Sequence, residues 1–255
     1  MRERIIESLR RLEKENDVRI LLAVESGSRA WGFSSPDSDY DVRFVYVHKP
    51  DWYLTVFPNK DVIESMSDDH LLDLSGWELR KTLRLLYKSN PNLSDWLLTD
   101  LLYIADAEFL EQIRKMQELY YNPIQAMYHF LSIAKKHDEK YLSKNGYTLK
   151  RFLYFLRGVL ACEYIKEQKA HPPVLFDNLL ESTVKDPIIK NEILKILEMK
   201  RQSKESDNAI INEGLKNYAT TLFEKHKAGV ANFRSELRAR QSNPLDQMLR
   251  RWITP

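Results

Sequence analysis

ESGSRAWGFSSPDSDYDVRF, residues 25–44, lies between two apolar segments, and the fold class follows from how those segments are read. Upstream, VRILLAVESG (18–27) is short, apolar and rich in β-branched residues, and it closes at Gly27 as a buried strand does. Downstream, DYDVRFVYV (39–47) alternates, with Tyr40, Val42, Phe44 and Tyr46 on one face and Asp39, Asp41, Arg43 and Val45 on the other. Both aspartates therefore project from the same face, and Tyr40 between them faces the core. A competing reading makes SSPDSD a plain turn capped by Asp37 or Asp39. The coincidence of a strand ending in Gly-Ser, paired carboxylates some ten residues later and an apolar strand after them favours a site.

Each element has a chemical use. A glycine closing a strand lets backbone N–H groups approach a phosphate, and the neighbouring Ser28 adds a hydroxyl donor. Carboxylates at i and i+2 on one strand face suit Mg²⁺ and can bridge two ions about 3.5–4 Å apart. Phosphoryl transfer also calls for a third carboxylate from a neighbouring strand. Asp73, between Leu72 and Leu74 at the end of a strand candidate, is the choice; Asp61 and Glu64 are possible substitutes.

Outward from this motif, residues 2–16 carry Ile5, Ile6, Leu9 and Leu12 at helical spacing. DVIESM (61–66) and HLLDL (70–74) read as short strands around an acidic turn. The sheet material is largely exhausted at residue 74, and Ser75 and Glu78, at capping-box spacing, predict a helix through WELRKTLRLLYKSNP (77–91), which Pro91 helps to end. Helices are then expected at 92–98, 106–120, 124–142, 148–168, 187–203, 209–227 and 245–253, broken at HPP (171–173) and KESDN (204–208). The expected fold is α+β: an α/β domain with a small mixed sheet over 1–121, then an all-helical, substrate-binding domain over 122–255. Pro123, suited to a first helical turn, marks the boundary.

The composition, 43% hydrophobic and 30% charged with 10 Pro and 7 Gly, is that of an ordered chain, not a disordered one. The N-terminal segment lacks the uninterrupted apolar core of a signal peptide, and no run approaches the roughly 18 apolar residues of a membrane span, so a cytoplasmic protein without a membrane partner is expected. The single Cys162, in an apolar setting, reads as a small buried hydrophobe. Residues 1–120 carry 16 basic and 22 acidic side chains, a net of −6, whereas 121–255 carry 23 and 15, a net of +8. That asymmetry suits metal binding in one part and a polyanion in the other, and ordinary solvated helix faces produce it too.

From Val24 through Val42 the chain resembles the DNA polymerase β nucleotidyltransferase superfamily, whose pattern is apolar, Gly, Gly or Ser, about ten residues, Asp, apolar, Asp or Glu, apolar. With DLSGWELRKTLRLLYKSNP, LKRFLYFLRGVLACEYI and HPPVLF it is similar to the bacterial and phage group associated with RNA ligases and RNA repair. The resemblance implies that Asp39 and Asp41 coordinate two Mg²⁺, for which Mn²⁺ can substitute. It further implies that Gly27 and Ser28 hold the β- and γ-phosphates of an NTP, and that Asp73 binds the nucleophile-side ion. An acceptor hydroxyl would then attack the α-phosphorus and expel pyrophosphate. Small members of the superfamily often read Gly-Ser-X-Ala-Arg-Gly; here Trp31 stands where the arginine would, leaving Arg29 as the loop's basic residue toward phosphate.

Arg80, Arg84 and Lys88 form one stripe on the helix after Asp73, read either as a solvated face or as a contact for nucleic acid or triphosphate. Lys150, Tyr154 and Arg157 share a face of an otherwise apolar helix and are candidate nucleotide contacts; the anion expected beside Arg157 could equally be an internal carboxylate. The six histidines have no zinc-like pairing and read mostly as surface residues, while Trp52, Trp77 and Trp96 read as core. Nucleotidyl transfer from an NTP to an RNA or DNA end is the leading expectation. Transfer of AMP to a protein or small molecule, and a non-catalytic nucleic-acid-binding module, are the alternatives.

Overall fold

The computed structural model describes residues 1–139, 148–204, 211–233 and 243–254. The chain forms two compact units. The first contains α1 (Arg2–Asn16), β1 (Val18–Glu25), α2 (Gly27–Ala30), β2 (Tyr40–His48), α3 (Pro50–Tyr53), β3 (Val62–Met66), β4 (Leu72–Glu78), α4 (Leu79–Tyr87), α5 (Pro91–Leu98), β5 (Leu102–Ala105) and α6 (Ala107–Tyr120). The second contains α7 (Pro123–Glu139), α8 (Leu149–Gln168), α9 (Phe176–Thr183), α10 (Pro187–Gln202) and α11 (Glu213–Gly229). The last helix, α12 (Asn243–Ile253), belongs to the first unit. The loop Trp31–Ser38, by contrast, belongs to the second. The units are thus not the consecutive stretches 1–121 and 122–255, because α12 and this loop change sides.

The sheet is mixed, in the order β3-β4-β2-β1-β5. β2 and β4 run parallel, and the other neighbours are antiparallel. One face is closed by α1, whose Ile5, Leu9 and Leu12 pack on Ile20, Ala23, Val42, Phe44, Tyr46, Leu72 and Leu74. The other carries Val24, Val45 and Val47 against Leu79, Leu83 and Leu86 of α4, with α5, α6 and α12 completing the layer. A register shift between Ile20 and Leu22 lets the consecutive Leu21 and Leu22 join this second cluster. In the second unit α8 is the central helix, and Gly158 permits close packing: a Cβ there would lie 3.1 Å from the Phe130 carbonyl oxygen of α7.

Several expectations are corrected. Ser75 is not a cap: it lies within β4, paired with Arg43 and Glu64, and α4 begins at Leu79. Glu78 is the N-cap, its side chain accepting from the N–H groups of Arg80 and Lys81 at 2.7 and 3.3 Å. The sheet does not end at residue 74, since β4 continues to Glu78 and the short edge strand β5 pairs with β1. α9 was not anticipated after HPP. Of the histidines only His70 is exposed, and His226 is buried, with Nε2 2.7 Å from Glu163 on α8. The expected residues 140–142 of α7, 209–210 of α11 and 205–208 of the KESDN break lie outside the described residues. Cys162 is fully buried, and burial pushes its thiol well above the ordinary range. No described helix is long and apolar enough to cross a membrane.

Candidate active site

In the parallel ladder of β2 and β4, Asp41 stands directly opposite Asp73. The parity of both strands places these carboxylates on the face that carries Val45, Val47 and Trp77. They converge on one cation. Arg43, two residues along β2, donates from Nη2 to Asp41 Oδ1 and to Asp73 Oδ2, each at 2.8 Å, and from Nη1 to the Asp73 carbonyl at 3.1 Å. The three side chains are 19–31% exposed, so the cluster opens to solvent at a part-buried position.

Gly27 lies beside it. Its φ of +61° is left-handed, and a Cβ added there would run into the Asp41 carboxylate, so only glycine lets the chain pass this close. Ser28 follows at 4% exposure. Arg29 turns outward over the ring of Tyr40, 3.8 Å from its centroid, and its Nε donates to the Asp39 carbonyl at 2.9 Å. This arginine thereby tethers the backbone that presents the aspartates. Asp39 itself is exposed and precedes the first residue of β2.

Glu25 escaped the sequence reading. At the last position of β1 it is 2% exposed, accepts from the Asp41 N–H at 2.9 Å and receives the Tyr103 hydroxyl of β5. Burial raises its carboxyl pKa against the opposing effect of these hydrogen bonds. The backbone at Asp41 is also held by the Ser26 N–H, which donates to the Asp41 carbonyl at 2.9 Å. A glutamate ending an apolar strand one residue before the Ser-Gly turn was the only available signal.

The donor set can be tested against a metal. Two carboxylate oxygens from neighbouring strands already meet on a single positive group, so Asp41 and Asp73 fit a divalent cation. Among the described residues no group of three or more His, Cys, Asp or Glu side chains is arranged to hold a metal, so Asp39 does not complete the pair as it lies. The substitutes considered for Asp73 are elsewhere: Asp61 pairs with Lys81 at 2.9 Å, and Glu64 sits on β3 opposite Ser75.

Lys150, Tyr154 and Arg157 belong to the second unit. Arg157, 3% exposed, lies 4.5 Å from the Trp31 ring centroid and donates to the Val174 carbonyl at 3.4 Å. Tyr154 meets Trp31 edge-on at 4.8 Å, and Phe33 packs on Phe176 at 5.6 Å. Trp31, at the position of the superfamily's usual arginine, is thus built into an aromatic cluster, and Tyr154 and Arg157 serve it. Lys150 is half-buried in the first turn of α8.

The chain as a whole is similar to known proteins. A model of the family described as RlaP, RNA repair pathway DNA polymerase beta family, matches residues 1–251. The uncharacterized protein YcgL of Bacillus subtilis (strain 168) is 45% identical over 207 residues, covering 81% of this chain and 79% of that protein. A crystal structure of a nucleotidyltransferase-like protein from Exiguobacterium sibiricum 255-15 aligns over 97% of this chain and 80% of its own, at 13% identity and a TM-score of 0.34.

Proposed function

Because the chain belongs to the RNA repair pathway DNA polymerase beta family, we propose that it transfers a nucleoside monophosphate from an NTP to an acceptor hydroxyl at a nucleic-acid end, releasing pyrophosphate. The observation that carries the reading is the in-register pair Asp41 and Asp73, whose carboxylates converge on one cation beside a glycine that admits no side chain. Asp41 and Asp73 would hold Mg²⁺, with Asp39 reaching the same ion set from the strand entrance. The metal would supply charge neutralisation on the phosphates and acidify the attacking hydroxyl.

The protein's own groups do the positioning. Gly27 leaves the turn after β1 open to a phosphate. Glu25 and Arg29 fix the backbone on either side of Tyr40, through the Asp41 N–H and the Asp39 carbonyl. Arg43 neutralises the two carboxylates from the place a divalent ion would take. Electrostatic preorganisation of this kind is the main contribution a protein makes to phosphoryl transfer.

The test is incubation of the purified protein with each α-³²P-labelled NTP and Mg²⁺ or Mn²⁺, offering RNA, DNA oligonucleotides or cell lysate as acceptor, beside an Asp41→Asn plus Asp73→Asn control. Aspartate-dependent label on nucleic acid is expected. Label on a protein band would replace the acceptor assigned here, and absence of NTP binding would overturn the catalytic reading.

A further inference from the structure

α4 leaves β4 without a loop, Glu78 ending the strand and Leu79 opening the helix, so it is rigidly joined to the strand that bears Asp73. Arg80 and Arg84 on it and Lys88 at its C-cap recur every four residues, a helical rise of about 6 Å each. None of the three makes a salt bridge among the described residues, whereas Lys81, off the stripe, is paired with Asp61 at 2.9 Å; Arg80 feels the charge of Glu78 at the start of the helix. Arg80 lies 4.9 Å from the ring centroid of Tyr53, and Arg84 and Lys88 are exposed.

The stripe is also the rim of a cavity of about 430 Å³. Its floor is apolar, made by Leu83 of α4 with Leu245 and Leu249 of α12. Asp246 is the one acidic residue of the lining, which keeps a net positive charge of two. A merely solvated helix face would have no such floor. Cations spaced along a helix beside an apolar hollow large enough for a base are the combination that binds a strand: positive groups follow the phosphates and the hollow takes a base without reading its identity.

We propose that this groove holds the single-stranded nucleic-acid acceptor, its phosphates on Arg80, Arg84 and Lys88 and one base against Leu83, Leu245 and Leu249; the term acceptor rests on the nucleotidyl-transfer reading above, the binding does not. The rigid join between α4 and β4 ties the held strand to the element carrying Asp73.

Binding is measured by fluorescence anisotropy on the full chain, without NTP or divalent metal, using a labelled single-stranded RNA of about ten nucleotides. Arg84→Gln plus Lys88→Gln is expected to weaken binding by about tenfold and to make log K against log salt shallower by about 1.4, or about 0.7 per lost contact. The melting temperature should hold, since both residues are exposed and glutamine is a good helix former. Lys115→Gln, which removes an exposed charge paired with Glu111, should bind as wild type does. Unchanged affinity and salt slope in the double variant would overturn the groove, as would displacement of the strand by free ATP at equal phosphate concentration. Asp41→Asn plus Asp73→Asn separates the two claims: it should bind RNA normally and transfer no label. Label transfer by that variant would sink the catalytic reading and leave the groove standing.

Discussion

Gly27, Asp41, Arg43 and Asp73 form one unit whose members depend on each other. Gly27→Ala has to place a Cβ at φ +61° against the Asp41 carboxylate. It should cost about 1–3 kcal/mol of stability and displace Asp41, read as a lower melting temperature together with weaker divalent binding. Arg43→Gln should act in the opposite sense on the metal. The guanidinium neutralises the same two oxygens that a divalent ion would take, so its removal should raise Mn²⁺ affinity severalfold, measured by electron paramagnetic resonance of free Mn²⁺. Equal or weaker affinity would mean that Arg43 holds the carboxylates in shape instead of competing for them.

Among the elements, β4 and α8 carry the sharpest constraints. A side chain at Gly76 of β4 would collide with the ring of Phe44, which is fully buried on β2. Gly76→Ala should therefore destabilise by about 1–3 kcal/mol in urea unfolding, and Phe44→Leu in the same background should recover part of the loss. On α8, Glu163 faces His226 of α11 at 2.7 Å; the close approach of His226, opposed by burial, holds its carboxyl down to about 2. An unfolded glutamate titrates near about 4.3. A depressed folded value means that the pairing stabilises above that pH and is lost as pH falls toward about 2. Denaturant midpoints of wild type and Glu163→Gln should differ near neutral pH and converge through that window, whereas a constant difference would point to packing.

At the scale of the molecule, the sheet unit carries the carboxylates and the basic groove, and the helical unit carries the aromatic cluster around Trp31. Chelation should therefore separate two activities. Excess EDTA should abolish label transfer and leave RNA affinity unchanged, because the groove uses side-chain cations alone; a parallel loss of both would place metal in the binding step. Mg²⁺ with NTP should raise the melting temperature of the wild type and leave Asp41→Asn unmoved, since a ligand stabilises only the fold that binds it.

Strand alternation marked the face that Asp41 takes, opposite Val42 and Phe44, and the leucines on either side marked the face of Asp73, because a period of two is a local property that survives in the sequence; Asp39 falls outside that pattern, one residue before β2. The helices from α5 onward were legible for the same reason, apart from the eight residues of α9. Ser75 misled because a capping pattern is also local, and pairing with β2 and β3 overrode it. β5, four residues long, is too short to alternate and exists through its bonds to β1. Which residue faces Asp73, that Arg43 joins the two carboxylates, that Glu25 braces Asp41 and that α12 closes a cavity on α4 were decided by tertiary structure. Those partners lie between 2 and about 160 residues apart in the chain. Sequence by itself determined what each strand and helix would present; only the pairing register and the packing of side chains across the sheet determined what each would meet.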